Sequence, residues 1–130
     1  MKRRGGWPDN APQPAGAYSP SVQIGGLIAV SGQCGYMPDR TLVEGVAEQT
    51  RLSMNNIETA LAASGATMDD VLSVCIYLTD SEHFAEMDSV YSECFREPYP
   101  ARTTVYVGLK RGVLIEVDAL AVLSSGSSPS

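Results

Sequence analysis

No apolar run in this sequence approaches the ~20 residues that a membrane-spanning helix needs, so no bilayer span is expected. Histidine is nearly absent, with His83 alone, and the three cysteines, Cys34, Cys75 and Cys94, are an odd number without metal-site spacing. That count suits reduced thiols in a cytosol better than a disulfide framework. No glycine-rich phosphate loop occurs either, so neither a metal nor an organic cofactor is expected. Basic residues are scarce. Nine Lys and Arg against fifteen Asp and Glu leave a net charge of −6, which argues against a chain that works mainly by gripping phosphate backbones. The single basic run, Met1 to Arg4, leads into Gly-Gly-Trp-Pro and not into an apolar segment, so it does not read as a secretory signal.

A 44% hydrophobic content in 130 residues suits one globular domain with one core. Residues 1–10 read as a flexible tail, residues 11–123 as the domain, and residues 124–130, rich in Ser, Gly and Pro, as a second flexible tail.

Residues 5–16, GGWPDNAPQPAG, cannot start a helix, and order is expected from about Tyr18. Ser21 to Ile24 and Leu27 to Ser31 are strand candidates separated by Gly25-Gly26, a pair suited to a two-residue hairpin because both positions tolerate positive φ. Val46 to about Ser64 carries apolar residues at helical spacing, with Glu48, Gln49, Arg51, Asn55 and Glu58 assigned to the opposite face. Gly65 is the stop. Val71 to Leu78 reads as a buried strand. Asp80 or Ser81 caps a second helix whose stripe is Phe84, Met87, Val90, Tyr91, Cys94 and Phe95, ended by Pro98. Asp69-Asp70 and Asp80-Glu82 read as turn or capping carboxylates.

The stretch from Tyr99 to Val122 reads as two strands joined by a tight turn at Lys110-Arg111-Gly112. It holds two notable charges. Arg102 sits at the mouth of the first strand, where its fork of donors suits a carboxylate. Glu116 lies in the apolar second strand, turned either to solvent or into a site, and periodicity does not separate these. The predicted order is ββαβαββ, an α+β fold with two helices on one face of a mixed sheet. The uncovered apolar face predicts self-association.

The motifs P-A-R-T-T-V-Y-V and L-I-E-V-D-A-L-A-V, with A-P-Q-P-A-G-A-Y-S-P, L-I-A-V-S-G-Q, E-Q-T-R-L-S-M-N-N-I and F-A-E-M-D-S-V-Y, resemble the RidA (YjgF) family of enamine/imine deaminases over residues 11–122. The resemblance implies a chorismate-mutase-like homotrimer of this unit, sheets facing inward, with three sites at the subunit clefts. It implies hydrolysis of 2-aminoacrylate-type enamines and imines to 2-keto acids and ammonia without a cofactor. Residue by residue, Arg102 matches the arginine that binds the substrate carboxylate and Glu116 the glutamate that handles water and protons. Tyr18 and Ser31 match residues lining the cleft, with Gly32 beside them, and Thr104 stands where cysteine is often found. Ala17, Cys34-Gly35, Asp88 and the turn from Leu109 to Gly112 depart from the family pattern and bear on substrate range. Cys34 and His83 do not form a convincing nucleophile and base, because no third orienting group is evident. Three alternatives remain open: a related deaminase or hydrolase for a larger substrate, a non-catalytic trimeric ligand-binding module, and an RNA-cleaving translation inhibitor.

Overall fold

The computed structural model describes residues 2–124. Six strands and two helices follow in the order β1 (Arg4–Gly6), β2 (Ser21–Ile24), β3 (Leu27–Gln33), α1 (Val46–Ala62), β4 (Val71–Leu78), α2 (Phe84–Ser92), β5 (Ala101–Tyr106) and β6 (Ile115–Val122). They form one mixed sheet, ordered β1-β2-β3-β6-β4-β5, in which only β4 and β5 run parallel. Both helices cover the same face. Ile28, Val30, Val74, Ile76, Leu78, Ile115, Val117, Ala119 and Ala121 point toward them and are buried with Met54, Ile57, Leu61 and Met87. Among the described residues no helix is long and apolar enough to cross a membrane.

Side-chain caps close the one-turn segments that lead into β4 and α2. Asp80 Oδ1 accepts from the Glu82 amide at 2.8 Å and Asp70 Oδ2 from the Thr67 amide at 2.8 Å, both capping roles. Asp69 pairs with Arg96. The β2–β3 turn uses positive φ at Gly25 alone. Gly26 answers a different demand, since a Cβ there would overlap the Leu123 carbonyl oxygen that packs against it.

Three features differ from the sequence reading. Arg4–Gly6, assigned by composition to a flexible tail, pairs with β2, whose outer edge offers free backbone groups to any extended segment that reaches it. The stretch 125–130, assigned to the other tail, lies outside the described residues. The strands bearing Arg102 and Glu116 are not a hairpin: β4 lies between them. Because β5 follows β4 through α2, the two form a parallel pair with a helical crossover, and the chain must then pass over the end of β4 to reach β6. Residues 107–114 make that passage, anchored by Val107 N–H to Leu78 O at 2.8 Å and Thr79 N–H to Leu114 O at 3.1 Å.

Gln49 is the third. Assigned to the polar face of α1, it is buried, and its side-chain amide donates to Val43 O and Gly112 O at 3.0 Å each while its oxygen accepts from the Leu114 amide at 2.8 Å. One side chain thus ties the helix start, the preceding loop and the lead into β6 together. Gln49→Leu keeps the volume but leaves three backbone groups without these partners, so urea denaturation is expected to show a loss of about 2–4 kcal/mol.

Candidate active site

Glu116 projects to the face of the sheet away from the helices, because its neighbours Ile115 and Val117 are fully buried in the core on the other side. It stands beside an irregularity in β3. Val30 pairs with Ala119 and Gln33 with Val117, so Ser31 and Gly32 together oppose Asp118, a bulge that turns this stretch toward Glu116. A Cβ on Gly32 would fall on Glu116 Oε2, so only glycine lets the carboxylate lie there. Ser31 Oγ donates to Ser19 O at 2.6 Å, which holds the Tyr18 segment against β3. Together Tyr18, Ser31, Gly32, Cys34, Tyr36 and Glu116 line one cavity of about 620 Å³, with Lys110 also on its wall.

Cys34 is the residue that sequence reasoning undervalued. Its Sγ–H donates to Glu116 Oε1 at 3.6 Å. Burial, then the charge of Glu116 and this hydrogen bond, pushes the thiol up to about 12. The group is therefore a neutral donor to the carboxylate at physiological pH, and its partner is Glu116, not His83. Its place directly after S-G-Q was the available signal. At pH 8, where an ordinary thiol is partly ionised, Cys34 is expected to react with iodoacetamide on the order of a hundredfold more slowly than a free cysteine, read by mass mapping of its peptide; its rate should rise only as pH approaches the raised value.

Arg102 and Thr104 are not in this cavity. They sit opposite Val74 and Ile76 of β4, and directly paired residues share a face, so both point to the helix side. There Arg102 Nη1 donates to Asp88 Oδ1 at 2.6 Å, and its guanidinium carbon lies 5.5 Å from the Phe84 ring centroid and 4.7 Å from that of Tyr91. The two charges singled out in the sequence are thus two strands apart, about 10 Å across the sheet, and on opposite faces of one protomer. No cluster of three or more His, Cys, Asp or Glu residues suited to a metal is found among the described residues.

The family model described as Endoribonuclease L-PSP matches residues 8–123. A RutC family protein of Pyrococcus abyssi is 42% identical over 116 residues, 87% of this chain and 91% of that protein. The chain belongs to the RidA (YjgF) family. A RidA-family relative from Dermatophagoides farinae named 2-iminobutanoate/2-iminopropanoate deaminase is 37% identical over 117 residues, 87% of this chain and 91% of that one. Among solved structures, E. coli TdcF with bound serine superposes with a TM-score of 0.89 at 31% identity, covering 93% of this chain and 99% of that chain. The RidA fold and the mixed α+β architecture are therefore shared along nearly the full length. Within that frame the separation of Arg102 from Glu116 follows from strand order and side-chain parity.

Proposed function

We propose that this RidA-family chain is a deaminase that hydrolyses 2-aminoacrylate-type enamines and imines to 2-keto acids and ammonia, in clefts between the copies of a cytoplasmic homotrimer. The observation that carries the proposal is that the candidate side chains lie in two groups on opposite faces of the sheet, which the proposal takes as two half-sites. Tyr18, Ser31, Gly32 and Glu116 form one; Arg102 and Thr104, on the opposite face, form the other. A complete site then needs Arg102 of one copy beside Glu116 of the next. Association has a physical basis in the sheet face that the helices leave uncovered, where Leu27, Leu72 and Val122 are each more than 40% exposed. The names of two relatives, one an iminobutanoate deaminase and one solved with serine, support a small amino or imino acid as ligand.

In the proposed reaction the enamine takes a proton on its methylene carbon, gives one up at nitrogen and becomes the imine. Glu116 removes a proton from water as the oxygen bonds to the C=N carbon, and the nitrogen takes a proton in turn. The C–N bond of the resulting carbinolamine then breaks as the hydroxyl proton passes to nitrogen, ammonia leaves, and the 2-keto acid remains. Each step moves a proton and none changes an oxidation state, so one carboxylate beside a positioned water suffices. Arg102 stays protonated and binds and orients the substrate carboxylate. RNA cleavage, the activity in the family model's description, draws no support from a net charge of −6.

Ammonia release from enzymatically generated 2-aminoacrylate tests the proposal. The wild-type chain is expected to accelerate release over buffer and Arg102→Ala to lose most of that acceleration. A wild-type rate equal to buffer would leave a ligand-binding role in its place.

A further inference from the structure

Phe84, Asp88 and Tyr91 stand at i, i+4 and i+7 on α2, so they form one stripe along the helix. That stripe is the wall against which Arg102 packs. The rings of Phe84 and Tyr91 hold the guanidinium, and Asp88 takes one of its five N–H donors at 2.6 Å. The Tyr91 hydroxyl is buried, and desolvation pushes it up to about 12, so this ring adds no charge. Among the described residues Asp88 is the only carboxylate within ion-pair distance of Arg102. The arginine side chain is 22% exposed and that of Asp88 47%, so the pair lies at a surface a ligand can reach.

We infer that Asp88 is a specificity-determining residue that restrains the grip of Arg102 on anions: it offers the guanidinium a carboxylate of its own, and a ligand carboxylate must share the fork with it. The inference rests on the reading of Arg102 as the carboxylate anchor. A lone guanidinium meets a ligand with a full positive charge and every donor free. Here the ligand meets a pair that is neutral overall, with one nitrogen already engaged. Two carboxylates on one guanidinium repel each other across a few ångströms in a partly solvated site, which corresponds to a loss of about tenfold in affinity. What remains is the free edge of a guanidinium whose plane the two rings already fix, so orientation is retained while affinity is held down. A site built this way takes a small monocarboxylate and releases it readily.

Titration calorimetry with pyruvate as the probe, at pH 7 and low salt, tests this. Asp88→Asn keeps the shape and removes the charge, and its Kd is expected to fall about tenfold; Asp88→Ala should tighten binding in the same direction. Asp88→Glu keeps the charge and should stay near the wild type, a pattern that a purely structural role would not produce. If Asp88→Asn and Asp88→Ala bind pyruvate no better than wild type while Arg102→Ala abolishes binding, Asp88 only orients the arginine, and the inference falls while the reading of Arg102 stands. If Arg102→Ala binds pyruvate as well as wild type, the anchor reading itself fails and takes the inference with it.

Discussion

Glu116→Gln is expected to lower kcat for imine hydrolysis by about 10²–10⁴ while leaving pyruvate affinity largely unchanged. The substitution is nearly isosteric. An amide oxygen in the place of Oε1 still accepts the Cys34 thiol, and the rest of the group still fits against Gly32. What disappears, on the proposed mechanism, is the ability to take a proton from water as it attacks the C=N carbon and to return one to the nitrogen. Steady-state kinetics of ammonia release, beside calorimetry with the keto acid, separate the two effects. Full turnover in Glu116→Gln would make the carboxylate a structural partner of Cys34 and leave the hydrolysis to bulk water.

Mixing two inactive variants is expected to restore activity. Because Arg102 and Glu116 point from opposite faces of one protomer, the proposed site draws one from each of two copies. On the proposed roles, Arg102→Ala alone loses a charge-assisted contact to the substrate carboxylate, worth roughly 1.5–3 kcal/mol. Glu116→Gln alone loses the proton acceptor. Refolded together in equal amounts, the two kinds of protomer meet at random, and about one interface in four joins an intact Arg102 to an intact Glu116. Activity should therefore return to about a quarter of the wild-type value, far above either variant by itself. A mixture no more active than the sum of its parts would show that both residues act within one copy, or not at all in the same site.

The sequence by itself determined the elements that depend on near neighbours. The period of apolar residues located α1, the Val, Cys, Ile and Tyr content of residues 71–78 located β4, the Gly25-Gly26 pair located the β2–β3 turn, and Asp80 marked the start of the second helical segment. Its motifs also identified the family, since those residues are strung along the chain in a fixed order. The tertiary structure decided what depends on distant partners. Strand order is one such matter: nothing local to residues 99–122 says that β4 will lie between the two strands, because that follows from the crossover through α2. Parity is another. Alternation shows that Arg102 and Glu116 each have one face, but which face is the core is fixed by register against β4, where Arg102 pairs with Val74 and Glu116 with Tyr77. Gln49 and Cys34 make the same point at the level of single side chains. Both are polar residues whose partners, Gly112 and Leu114 for one and Glu116 for the other, lie more than sixty positions away in the chain, and only closure of the fold brings those hydrogen bonds within reach.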